Sequence, residues 1–192
     1  MKSAGKTIPQ QLIYEVVNGE PIYYKGYREY LQGNQTIEEL MGSSKLQSLI
    51  IAELIFLLRS TLGNTYFLFT NELGLQFSKK SWRAADIAVI KADRVKELDN
   101  KYLKVPPELV IEIDTKAELS EVQNPLGYYQ EKTEDLIQFG VDRVVWIFTE
   151  TRKVMIADKD KHWQINNWEE SFELFEGVHL NLDQMIADRT QQ

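Results

Sequence analysis

A chain of 192 residues with 43% hydrophobic and 27% charged residues is long enough to bury roughly 70% of its unfolded surface as one domain, so residues 1–192 are expected to fold as a single unit. The absence of cysteine excludes disulfides, thiolate metal sites and cysteine nucleophiles, and the two histidines, His162 and His179, are too far apart for one helical metal motif. A net charge of −7 argues against a general nucleic-acid coat, and no stretch is apolar enough for a membrane span or a secretion signal, so a cytoplasmic location without membrane contact is expected.

In chain order, Leu12–Val17 and Pro21–Tyr24 flank Asn18-Gly19, a pair suited to the positive φ angles of a type I′ turn, which predicts an N-terminal β-hairpin. Residues 37–62 read as helical, with Thr36 as N-cap and Gly42-Ser43-Ser44 splitting off a longer piece, Leu46–Leu62. Four β-rich runs follow, Tyr66–Thr70, Leu73–Phe77, Ala84–Lys91 and Leu109–Asp114, in a pattern best met by a meander. Leu126–Phe139 has helical spacing and stops at Gly140; Val141–Phe148 and Lys153–Ala157 return to strand, and Leu182–Ala187 closes as a helix. Helix, strands, helix, strands gives an α/β or α+β fold around a mixed sheet.

Against this pattern a few polar residues occupy positions where the local period asks for apolar ones. Asp86 lies mid-strand among alanines and isoleucines, and Glu112 shares its strand face with Val110 and Asp114; neighbouring carboxylates repel unless a proton or cation intervenes. Glu53 has only apolar helical neighbours in Leu49, Ile50, Phe56 and Leu57, and Lys132 lies on the stripe of Tyr128, Tyr129, Leu136 and Phe139. Each alone is open to a plain structural account: a solvent-facing edge carboxylate, a buried ion pair, or a lysine snorkelling to water. Together, carboxylates and one ammonium on a common sheet face suit a hard cation, Mg²⁺ or Mn²⁺, held by Asp86 and Glu112, and a phosphate oxygen. Residues 79–104 add a local excess of basic charge, eight Lys and Arg against four acids, and include Trp82, which could stack on a base; residues 158–192 are acidic, with eight acids against three bases.

These residues resemble a large bacterial family of restriction-endonuclease-type proteins of uncharacterised function, in the PD-(D/E)XK nuclease superfamily. The likeness runs from about Tyr14 to Phe148, through Tyr14-Glu15, Asn18-Gly19-Glu20, helix Leu46–Leu58, the run Arg83 to Val89, the run Leu109 to Thr115, Lys132, Gly140-Val141 and Trp146. The resemblance implies a central mixed sheet flanked by helices, self-association as a homodimer, and cleavage of DNA with a divalent metal. It assigns Asp86 to the first half-motif and Glu112 to the second, with Lys132 as a migrated lysine, Lys116 as a weaker candidate and Glu53 as the supporting helix glutamate. The chain departs from the pattern at Asp114, where the superfamily name expects lysine, at Ala85 in place of proline, and near Lys45 and Gln47, where a histidine is common. Three readings follow: a Mg²⁺-dependent DNA endonuclease, a catalytically silent nuclease-fold module for nucleic-acid binding or assembly, and a structural homo-oligomer.

Overall fold

A computed structural model describes residues 8–120 and 124–190. The N-terminal hairpin pairs β1 (Ile13–Val17) with β2 (Glu20–Tyr23), and its turn residues Asn18 and Gly19 take φ of 53° and 88°, as the type I′ turn requires. Two short helices, α1 (Tyr27–Leu31) and α2 (Ile37–Met41), lead to the long α3 (Lys45–Leu62). Thr36 closes a capping box with Glu39, and Ser44 caps α3 through the Gln47 amide, so the Gly42-Ser43-Ser44 break separates two capped helices.

The expected strands 66–70 and 73–77 are one strand, β3 (Tyr66–Ser78), which pairs with β4 (Ser81–Lys91) along its whole length. The register slips between Thr70 and Leu73, where Asn71 and Glu72 both have positive φ. This is a bulge inside a strand, not a gap between two. β5 (Leu109–Ile113) is central and buried on both faces, α4 (Pro125–Phe139) crosses over, and β6 (Arg143–Phe148) returns parallel to β5. β7 (Lys153–Asp158) and β8 (Gln164–Asn167) extend the sheet antiparallel. A separate hairpin of β9 (Phe172–Phe175) and β10 (Val178–Leu180) precedes α5 (Leu182–Thr190). The acidic C-terminal third thus holds three strands that its polar composition concealed.

The sheet order is β2-β1-β4-β5-β6-β7-β8, with β3 on β4. Because β3 takes one edge of β4, β1 and β5 must share the other, end to end: Val16 faces Trp82, while Ile87 to Val89 face Ile111 to Leu109. Between these pairings β4 has a fork. Odd-numbered residues of β5 and β6 pack with Ile50, Leu54 and Leu58 of α3 and with the β9–β10 hairpin. The opposite face, with Val110, Val144 and Trp146, packs with Tyr128 and Leu136 of α4 and with the N-terminal Tyr14, Tyr24 and Tyr27. Helices therefore cover both faces of a mixed sheet, the expected fold class. No helix among the described residues is long and apolar enough to cross a membrane.

Candidate active site at the fork of the sheet

The antiparallel register that sets Ile87 opposite Ile111 and Ala88 opposite Val110 places Asp86 beside Glu112 on the face covered by α4. Inward residues Tyr128, Lys132 and Leu136 of α4 recur every fourth position, which brings Lys132 down onto those carboxylates. The Trp146 indole donates to Thr133 Oγ1 at 2.9 Å and fixes the rotation of the helix. Asp86, Glu112 and Lys132 are therefore brought together. Lys132 does not snorkel: it is fully buried, its Nζ 3.0 Å from Glu112 and 2.8 Å from Glu15, with the Tyr14 and Trp146 rings at 5.5 and 5.4 Å.

Glu15 is the residue that strand periodicity did not single out. It sits where β1 ends its contact with β4, accepting from Arg83 Nη1 (2.9 Å), Tyr128 Oη (3.0 Å) and the Ala84 amide (3.2 Å). Asp135 fastens the far side of Arg83 at 2.5 Å. The fork explains the cluster physically: here the edge of β4 away from β3 lacks a neighbouring strand, and side chains complete the main-chain bonding. Glu15 takes the Ala84 amide, and Asp86 Oδ2 takes that of Ile113 at 2.8 Å.

These carboxylates are not equivalent. Burial pushes Glu15 up, but Lys132 and Arg83 outweigh it and hold its carboxyl below the usual range. Burial pushes Glu112 well above that range, only partly offset by the shared Lys132 and reinforced by Asp86 and Glu15. Asp86 is also raised by burial, against the Ile113 amide and Lys132. Burial disfavours the ammonium of Lys132, yet Glu112 and Glu15 hold its pKa well above normal. Both oxygens of Glu112 and the Lys132 nitrogen are buried without an aligned hydrogen bond; their close approaches are ion pairs. Such an incompletely bonded, negatively biased cluster is costly unless another group completes it.

Two sequence expectations are corrected. Glu53 lies away from the cluster: it is only half-buried and pairs with Arg189 of α5 at 2.9 Å. The buried line of α3 runs one residue over, through Gln47, Ile50, Leu54 and Leu58, and Phe56, counted among the apolar neighbours of Glu53, is 65% exposed. The helix residue that does reach the site region is Gln47, whose Nε2 donates to the Ile113 carbonyl at 3.0 Å. Asp114 is not a strand neighbour of Glu112, because β5 ends at Ile113 and Asp114 turns into the left-handed region at φ 56°. Its carboxylate accepts from the Thr149 amide (2.8 Å) and hydroxyl (2.6 Å). Asp114→Asn, which tolerates that φ and keeps an acceptor, is expected to leave both melting temperature and catalytic rate close to those of the parent; a lost rate at unchanged melting temperature would return residue 114 to the site.

Lys116, the weaker lysine candidate, is close enough to Asp86 to lower the pKa of its carboxyl against the effect of burial. It pairs with Glu72 and donates to the Met41 carbonyl at 3.0 Å. Glu72 reaches that point because the β3 bulge turns it there, and its Oε2 also accepts from Tyr24 Oη at 2.7 Å. Glu72 and Lys116 line an open cleft of about 630 Å³ with Tyr14, Tyr24, Trp82 and Tyr102. His162 and His179 are exposed and remote from the cluster.

Among the described residues no three carboxylate, histidine or cysteine side chains converge as metal ligands. The fit to a cation therefore rests on two carboxylates, Asp86 and Glu112, and on the lack of aligned bonds to Glu112. That donor set suits Mg²⁺, which takes few protein oxygens and completes its octahedron with water and phosphate.

Comparison with known proteins gives one family and one fold. The profile of the Uma2 family, described as "Putative restriction endonuclease", matches residues 25–184. Among solved structures, one described as a putative nuclease belonging to DUF820, from Anabaena variabilis ATCC 29413, superposes with a TM-score of 0.65 at 14% identity, over 90% of this chain and 89% of that one. At that identity the likeness shows the fold alone. No curated protein matches.

Proposed function

Because the chain belongs to the Uma2 family, we propose that it is a DNA endonuclease, hydrolysing phosphodiester bonds with a bound divalent cation, Mg²⁺ or Mn²⁺. The observation that carries this reading is the buried Glu112 carboxylate, without an aligned donor, beside Asp86 and the Lys132 ammonium. Asp86 and Glu112 would hold the cation, which supplies an activated water and charge neutralisation on the phosphate. Lys132, kept charged by Glu15 and Glu112, offsets negative charge growing on the phosphoryl oxygens. Glu15 is a positioning residue: held by Arg83, Tyr128 and the Ala84 amide, it fixes the ammonium without turning toward the cleft itself.

The raised pKa of Asp86 and of Glu112 gives the reading a signed pH dependence. Protons compete with the cation for both carboxylates, so affinity rises with pH and binding releases protons. Titration calorimetry with Mn²⁺ in two buffers of different ionisation enthalpy is expected to show net proton release in the parent and less in Glu112→Gln. Heats identical in both buffers would contradict the assignment. The direct assay is cleavage of plasmid and oligonucleotide DNA with Mg²⁺, Mn²⁺ or excess chelator; cleavage in chelator would exclude the metal-dependent reading.

The closed ion-pair triad also supports a second reading. A lysine fully buried and paired on both sides can serve as a structural cross-link in a catalytically silent module. Absence of saturable Mg²⁺ or Mn²⁺ binding by the full chain would favour it.

A further inference from the structure

The cleft beside the carboxylates has an aromatic wall whose assembly the cluster does not explain. Trp82 of β4 and Tyr102 of the loop before β5 meet with ring centroids 5.1 Å apart, tilted by 56°. Tyr102 is held in place from two directions. The Leu103 amide donates to the Gly74 carbonyl and the Gln76 amide to the Leu103 carbonyl, each at 2.8 Å, which pins the loop to the edge of β3. The ring of Tyr102 then lies flat on Gly74, where a Cβ would stand 2.5 Å from it, so only glycine admits this seat. Despite this anchoring Tyr102 is 46% exposed, a large aromatic surface left open to water beside the cleft.

Tyr102 also borders a second groove, of about 570 Å³, carrying four basic residues, Arg94, Lys96, Lys101 and Lys104, against two acidic ones, Glu97 and Asp99. Arg94 is paired with Glu108 and Lys101 with Asp99; Lys96 and Lys104 are exposed and have no ion pair among the described residues. A basic groove thus runs up to an aromatic wall, and the wall borders the cleft lined by Glu72 and Lys116, a pair close enough to Asp86 to act on its carboxyl.

Resting on the nuclease reading above, we infer that this path takes an unpaired strand, with one base stacked against the Trp82–Tyr102 wall and the backbone led along Lys96 and Lys104. Bases in a duplex keep their faces covered by their neighbours, whereas an unpaired base offers its face to an aromatic side chain. Charge points the same way. A chain with net charge −7 and a short basic groove is poorly matched to the dense phosphates of a duplex, and a single strand, with fewer condensed counterions, relies less on charge and more on stacking. The second carboxylate-lysine pair, Glu72 and Lys116, lines the same cleft as the wall.

The test measures fluorescence anisotropy of a labelled mixed-sequence oligonucleotide, alone and annealed to its complement, with the full chain in chelator so that no cleavage occurs. The expected result is tighter binding of the single strand. Trp82→Leu and Tyr102→Leu, which keep apolar volume but lose the ring, are expected to weaken single-strand binding by about tenfold each, the scale of one lost base stack, and to leave duplex binding unmoved; Trp82→Phe keeps the stack. Melting curves of the variants guard against misfolding. Equal or tighter binding of duplex, single-strand affinity unchanged in both leucine variants, or no binding of either nucleic acid would each overturn the inference. The two readings fail separately: metal-dependent cleavage with duplex preference leaves the nuclease and removes the unpaired strand, while ring-dependent single-strand binding without cleavage in Mg²⁺ or Mn²⁺ does the reverse.

Discussion

Asp86→Asn and Glu112→Gln are each expected to reduce metal-dependent cleavage by roughly a thousandfold or more, equivalent to at least ~4 kcal/mol of transition-state stabilisation, while the fold survives. Both changes are isosteric. In Asp86→Asn the new side-chain carbonyl can still accept the Ile113 amide that Asp86 accepts at 2.8 Å, and Lys132 retains Glu15 at 2.8 Å when Glu112 loses its charge. What each variant loses is the charge that would hold a cation. The relevant comparison is initial cleavage rate at saturating Mn²⁺ beside the circular-dichroism melting curve of the same preparation. Full activity in both variants would remove the cluster from the chemistry; a collapsed melting curve would show that it is the fold being read.

Lys132→Met is expected to behave differently, costing stability as well as activity. Removing the ammonium leaves Glu15 and Glu112 buried with one cation, Arg83, bonded to Glu15. Breaking a buried pair from one side typically costs about 3–5 kcal/mol, which for a chain of this size lowers the melting temperature by roughly 6–20 °C. Lys132→Met combined with Glu112→Gln should recover part of that loss, because the orphaned charge goes with it, yet recover no cleavage. A double-mutant cycle on stability and rate separates the two roles. If Lys132→Met is as stable as the parent near neutral pH, Glu112 is already protonated there and the ion pair is not what holds α4 down.

Local periodicity suffices where a residue's role follows from its own element. Alternation in β4 and β5 locates Asp86 and Glu112, and spacing in α4 turns Lys132 inward, because period 2 and period 3.6 decide which face is covered. The same reasoning fails for Glu53. Its apolar neighbours include Phe56, which the fold leaves in solvent, and only tertiary packing decides which of two adjacent lines on α3 is buried. Asp114 fails for a related reason, since alternation holds only while the chain stays extended and a single left-handed residue ends it. Glu15 is beyond periodicity altogether. Its role depends on β1 and β5 meeting the same edge of β4, a topological fact with no local signature, although the family resemblance marks Tyr14-Glu15 as one of its stations. The bulge that re-aims Glu72 likewise reads as a break between two strands, because Asn71 and Glu72 look like loop residues when pairing is unseen.

The fork in β4 also governs when the cluster can exist. Tyr128 and Glu15 are 113 residues apart in sequence, and closing a loop of that length costs ~4 kcal/mol of chain entropy before any contact repays it. Such non-local closure belongs to the slow, late part of folding. During synthesis the N-terminal hairpin must wait for α4 to emerge and dock before Lys132 meets either glutamate. A chain still on the ribosome lacks the ammonium that its buried carboxylates require, and the cluster is complete only once α4 has docked.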